Sequence, residues 1–382
     1  MKGGACSMPN LLHVDTRRQK RAFVEFVYRV YAGNPCYRDT LMPILELFLY
    51  QRDAFTSESY VRPIQVVSQG EVVAQCVLVH HPGFPMLQVA FFEALPDRRA
   101  AVDLLIEEAR AEARRRGLRR IVAGLNGHVW YGVGYLADAF DLPCPFDSMY
   151  TPEYYLAYWS QHAEAVHTLS TYRFDFSEAR PPDPVLRRAY SRFQFRRMDM
   201  ANFKQESILF GELSNRFFAD TYLYFERDPH DMYRLLKPIR PLLESENLIF
   251  ACRDGKEIGF LFWHPDFNEV IPGGRRNSTL STGVRCLLGK NRIRNAKLNA
   301  TGVDPRYHGS SVVAGLLGEL CSSCAGRYEG VESNFVWDSN RRSRYLHQHF
   351  PHEEVRHYKT FELKVDGQTR DDGSFTTQGV QP

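Results

Sequence analysis

The chain has 382 residues, too many for one ordinary hydrophobic core and about right for two domains of roughly 150 to 200 residues each. Its composition, 44% hydrophobic and 24% charged with 20 Tyr and 26 Phe, is that of a folded globular protein and excludes a chain disordered beyond its ends. The net charge of +3 is too small to identify a partner by itself.

The first ten residues, MKGGACSMPN, lack the apolar core of a secretory signal, and no stretch approaches the roughly 18 apolar residues that span a bilayer. A cytoplasmic protein without a membrane partner is expected. Residues 16–34 and 43–50 read as helices, and RPIQVVSQGEVVAQCVLVHH as two strands joined at Gln69-Gly70. The strand MLQVAFFEAL then leads through Pro96-Asp97 into the long helix RRAAVDLLIEEARAEARRR, stopped by Gly117 and followed by the strand RRIVAGL. A linker rich in Pro and Arg comes next, at 178–188.

The order then returns. Helical segments around 201–245 precede NLIFACRDGKEIGFLFWH, a hairpin turning at Asp254-Gly255. After them come the strand KLNATGV, a glycine-bearing loop, a helix to about Arg327, the strand VESNFVWD, the helical NRRSRYLHQHF and a last strand RHYKTFELKV, with residues 367–382 as a solvated tail. Eight cysteines are scattered without paired metal-ligand spacing, and the single CxxC, Cys321 and Cys324, falls on an apparent amphipathic helix, where burial is the better reading.

The helix, hairpin, strand, loop, helix, strand, helix, strand order resembles the GNAT acyltransferase superfamily, and the resemblance covers Phe195 to Val365 well. In the family's loop pattern Val-x-Pro-x-Tyr-Arg-Gly-x-Gly-x-Gly/Ala, this chain places Val303, Pro305, Tyr307 and Gly309 in register. It departs with His308 for Arg or Gln, Ser311 for the second glycine and Val313 for Gly or Ala. The first half resembles a more degenerate copy, and its loop, EALPDRRA, contains no glycine. The resemblance implies an α/β chain of two tandem GNAT-like domains, 1–185 and 186–366, each with its own mixed sheet, packed as pseudo-repeats with a cleft between them or beside the C-terminal copy. The N-terminal copy would be structural or acceptor-binding.

Backbone N–H groups of a strand-to-helix turn surround phosphates where glycine lets them approach closely. Thr301, Gly302, Val303, Arg306, His308, Gly309, Ser310 and Ser311 are therefore the candidate donor site, with Val313 adding bulk that could obstruct a diphosphate. Upstream, Arg275, Arg276, Arg285, Lys290, Arg292, Arg294 and Lys297 form a basic run without an acidic residue, either a solvated face or a phosphate-binding surface beside the donor site.

The resemblance implies direct attack of an amine on a donor carbonyl held by backbone groups of the strand 299–303, with proton transfer by positioned side chains. His347 and Tyr345 fall at or beside the family's general-acid position. Glu332 and Asp338 bracket the fifth strand; six apart, they share a face of an alternating strand and are candidates for base or amine binding. Asn126, His128, Tyr131 and Tyr135 cluster in a glycine-rich turn of the first half as a candidate acceptor pocket. Three functions are compatible with these residues: an N-acyltransferase moving an acyl group from acyl-CoA to a small-molecule amine, an aminoacyltransferase drawing on aminoacyl-tRNA, and a non-catalytic binding protein. Neither enzyme needs a permanently bound cofactor or metal.

Overall fold

The structure is a computed structural model that describes residues 9–178, 180–340 and 352–365. In the first half the elements run β1 (Asn10–His13), α1 (Arg17–Val30), α2 (Met42–Tyr50), α3 (Ala54–Glu58), β2 (Tyr60–Ser68), β3 (Glu71–His80), β4 (Leu87–Ala94), α4 (Arg99–Arg115), β5 (Arg120–Ala123), β6 (Tyr135–Leu136), α5 (Tyr154–Ser160) and β7 (Ala165–Asp175). After α6 (Asp183–Arg192) the second half runs β8 (Gln194–Arg197), α7 (Phe203–Phe218), α8 (His230–Leu236), β9 (Leu248–Arg253), β10 (Lys256–Pro265), α9 (Thr279–Gly289), β11 (Asn295–Val303), α10 (Val312–Cys324), β12 (Gly330–Ser333), β13 (Val336–Trp337) and β14 (Glu353–Lys364).

Local chemistry sets these boundaries. Both two-residue hairpin turns, Gln69-Gly70 and Asp254-Gly255, have positive φ at each residue, the type I′ geometry whose twist matches its strands. Helix α4 ends as the sequence implies: Gly117 takes φ +67, the Leu118 N–H reaches the Ala113 carbonyl, and the Gly117 N–H reaches that of Arg114. The Pro-rich linker contains α6, which starts beside Pro182 and has Pro184 in its first turn, where a missing N–H costs nothing.

The two expected sheets are one. Strand order is β1-β2-β3-β4-β5-β14-β7-β12-β11-β10-β9-β8, with β6 paired to β14 and β13 to β7. The last long strand of each half has crossed to the other: β7 lies antiparallel to β12, and β14 antiparallel to β5. The two exchanged strands pair with each other from Glu353↔Arg173 to Glu362↔Ala165. The join is hydrogen-bonded backbone, because an unpaired strand edge is left exposed in either half taken alone. Two apolar clusters flank the sheet in the first half and two in the second, and Leu223, Phe225, Trp337 and Tyr358 from the second half pack into one of the first half's clusters. Among the described residues no helix is long and apolar enough to cross a membrane.

Candidate functional site

Strands β11 and β12 begin as a parallel pair at Asn295↔Gly330 and part after Leu298↔Ser333. Asn334 then bridges the base of the fork: its backbone N–H donates to the Leu298 carbonyl (2.6 Å) and its amide to the Asn299 carbonyl (3.0 Å). On its other edge β11 pairs with β10, and there Phe262 opposes Ala300 while Trp263 opposes Leu298, so Asn299 is an extra residue. A β-bulge kinks the strand where its parallel neighbour leaves. From Ala300 to Val303 the edge that faced β12 carries no described strand. Gly302 lets Phe260 pack against this stretch, since a Cβ there would lie 2.6 Å from the Phe260 ring.

Beyond Val303 the chain turns. Asp304 accepts from the Arg306 N–H and ion-pairs with the Arg306 guanidinium (2.7 Å), which holds its carboxyl below the usual range. The His308 ring lies 3.0 Å from the Val303 carbonyl. Gly309 takes φ +75 with nothing near its missing Cβ, so the approach to the turn is open. Ser311 precedes α10, and its hydroxyl is buried without a hydrogen-bond partner, as is that of Thr301. The N-terminal turn of a 13-residue helix, a buried hydroxyl and an open glycine together suit an anion. Val313 packs against the core instead of blocking the turn.

A polar group absent from the candidate residues stands at the bulge. Asp147, from the segment between β6 and α5, has φ +65, a conformation that Asp tolerates. It accepts from the amide of Asn299, and its Oδ2 lies 3.8 Å from Nε2 of His264 on β10. Nδ1 of the buried His264 faces the Pro265 carbonyl at 2.9 Å, which assigns the proton to Nδ1 and leaves Nε2 facing the Asn299 amide at 3.5 Å. Behind them Lys297 is fully buried and donates to the Ser148 hydroxyl. Asp266 accepts from the Phe146 and Asn268 N–H groups, and burial pushes its carboxyl up to about 6. Asp147 and Asn334 both line a small recess with Val129, Val133, Met149 and Phe335, floored by Tyr358. Both halves build it. An isolated Asp in a turn gives no periodic signal, so nothing in the sequence marked Asp147.

The sequence candidates fall in several places. Thr301, Gly302, Val303, Arg306, His308, Gly309, Ser310 and Ser311 form one continuous strand end and turn. The basic run does not join them. Lys290, Arg292 and Arg294 come just before β11, whose nine residues set them roughly 25 Å from the turn, while Arg285 is on α9 and Arg275 and Arg276 precede that helix. Arg276 pairs with Glu25, Lys290 with Glu244 and Arg294 with Glu329, while Arg275, Arg285 and Arg292 are exposed and Lys297 is in the interior.

Glu332 and Asp338 do not share a strand face, because the strand breaks at Asn334-Phe335. Glu332 is buried and held by Thr171 (3.0 Å) and Arg356 (2.5 Å), whereas Asp338 is exposed, with the Ser170 hydroxyl 3.4 Å away. The four residues read as an acceptor pocket do not face one opening. Asn126 accepts from the Phe91 N–H, His128 is 3.0 Å from the Phe225 carbonyl, Tyr131 bonds Arg227, and Tyr135 stacks on Trp159 in another core. Their turn nonetheless lines the recess with Val129 and Val133. His347 and Tyr345 lie outside the described residues.

No family model and no curated protein sequence matches the chain. Solved structures do. A tandem GNAT protein from the clavulanic acid biosynthesis pathway aligns over 94% of this chain and 99% of its own at 12% identity and TM-score 0.54. A probable N-acyltransferase from Enterococcus faecalis V583 aligns over 95% and 74% at 10% identity and TM-score 0.52. A glucosamine N-acetyltransferase region of a fungal multi-domain β-N-acetylglucosaminidase aligns over 94% of this chain and 38% of that one, at 13% identity and TM-score 0.56. The chain has the tandem GNAT fold.

Proposed function

We propose that the second half is an N-acyltransferase that forms an amide by moving an acyl group from acyl-CoA to the amine of a small molecule. One observation carries the reading: the bulge at Asn299, the end of the β12 ladder and the open Gly309 turn lie in sequence along one strand and its exit. Acyl-CoA supplies a thioester carbonyl. The α10 N-terminus and Ser311 would hold its diphosphate, and the unpaired edge from Ala300 to Val303 would run beside its pantetheine and donate N–H groups to the carbonyl oxygen as charge develops. The neutral amine nitrogen bonds to the carbonyl carbon and the C–S bond breaks; one of its two protons ends on the departing sulfur and the other stays on nitrogen as the amide N–H.

An aminoacyl-tRNA donor is the second reading, and the exposed Arg275, Arg285 and Arg292 favour it. It ranks lower because their stretch stands far from the turn and its other cations are ion-paired or buried. Labelled acetyl-CoA and a mixture of charged tRNAs, each offered with an amine panel, test the choice. Discharge of acetyl-CoA alone is expected. Discharge of tRNA, with affinity falling steeply in salt, would reverse the order of the two readings.

A further inference from the structure

We propose that Asp147, carried by the first half, forms the acceptor subsite of the second half's strand opening, binding a primary ammonium and taking its first proton. The proposal rests on the acyl-transfer reading and adds the substrate class. Position argues first. Asp147 is tied to Asn299, the bulged residue, and shares the recess with Asn334, which is bonded to that residue's carbonyl. A nitrogen held at Asp147 therefore stands beside the kink of the strand whose edge would carry the thioester.

Charge argues second. Among the described residues that line the recess, Asp147 alone has a carboxylate. Nearby, Glu332 is paired with Arg356, and the Lys297 ammonium donates to the Ser148 hydroxyl. No described lysine or arginine is paired with Asp147; its close ionisable neighbour is His264, whose Nε2 stands 3.8 Å from Oδ2 and faces the Asn299 amide. A half-buried carboxylate without a lysine or arginine paired to it attracts a cation. The side chain is 38% exposed, so a proton taken from the amine has a route to water.

Shape argues third. The recess is small enough to suit an ammonium on an unbranched carbon, and Val129, Val133, Met149 and Phe335 offer an apolar wall to the rest of the acceptor. The acceptor class is a primary amine with a slim methylene next to nitrogen and an apolar body. Its ammonium gives one proton to the Asp147 carboxylate, and the neutral nitrogen then carries the lone pair that attacks.

Saturation-transfer NMR on the full chain tests this with phenethylamine and its uncharged isostere 2-phenylethanol, alongside acetyl-CoA binding by calorimetry. The unsubstituted chain is expected to prefer the amine by about tenfold or more, and Asp147→Asn to erase the preference while leaving acetyl-CoA affinity unchanged. Asn tolerates positive φ, so the variant should keep its fold, which thermal melting checks. Asp147→Glu should restore part of the preference. Equal binding of amine and alcohol, no binding of the amine, or a preference that survives Asp147→Asn would overturn the proposal. If acetyl-CoA fails to bind while the preference remains, the donor reading fails and the ammonium site stands.

Discussion

The molecule contains the same strand fork twice, and among the described residues only one of the two is left open. In the first half β4 and β5 part after Val89↔Ala123, and β4 carries a bulge where Phe91 and Phe92 oppose Cys76, with Phe91 at φ +47. Side chains from neighbouring segments fill this fork. The Asn126 side-chain carbonyl accepts from the Phe91 N–H (2.7 Å), Tyr155 and Tyr31 hold the buried Glu93, and Tyr154 and Tyr158 of α5 donate to the Ala94 and Leu95 carbonyls. In the second half Asn334 donates to the fork from the other side, as an amide to carbonyls, and leaves the strand's N–H groups unclaimed by that side chain. Strand topology alone thus does not make a site; what matters is which polar groups the neighbouring segments present to the same fork.

The largest effect should come from loosening the second fork. Arg356→Met leaves Glu332 as a buried unpaired carboxylate on β12, beside both exchanged strands, and should cost about 3–5 kcal/mol in denaturant unfolding. A loss under about 1 kcal/mol would mean that the pair does not hold the strands there.

The closed fork offers a pH test. Burial raises the Glu93 carboxyl from 4.5 to about 8. A raised folded-state value means that its contribution to stability is complete below about 4.5 and is lost as pH rises through 8, on the order of 3 kcal/mol between pH 5 and 8. Glu93→Gln keeps the tyrosine hydrogen bonds without ionising, so its stability should fall less over that range. Parallel curves for both proteins would show that Glu93 is not protonated at neutral pH.

A smaller effect should mark the open fork. Gly309→Val forces a β-branched residue into positive φ and fills the space over the turn, and should weaken acetyl-CoA binding by about tenfold or more in calorimetry. Unchanged affinity would move the donor away from this turn.

Much of the fold was legible because backbone chemistry is local. Gly117, Gln69-Gly70 and Asp254-Gly255 punctuate elements at the residues where their φ values require it. The turn from Val303 to Ser311 was readable for the same reason. Strand exchange was not, since β7 and β14 carry no mark of which β-edge each will join. The four acceptor candidates are scattered for a related cause: His128 and Tyr131 are chemically suggestive, but their partners, Phe225 and Arg227, come from the other half, as does the Asn299 that holds Asp147. Helix α9 was read only as a basic run, although Leu280, Val284, Leu287 and Leu288 recur at helical spacing; all four are exposed.

The exchanged strands also set a timetable for synthesis. Strand β5 ends its pairing in Arg120↔Lys364, so the edge it presents on leaving the ribosome waits for a partner 244 residues downstream. At roughly 5 to 20 residues per second that wait is on the order of 10 to 50 seconds, long compared with hairpin closure. Nascent chains arrested before residue 350 should therefore stay protease-sensitive in the first half, and those carrying β14 clear of the ribosome should become resistant in both halves together. A first half that resists protease before β14 exists would show that the edge is protected by something else. The nascent first half is in that sense an unfinished template, and a neighbouring chain on the same message that reaches it first would supply the missing strand in trans.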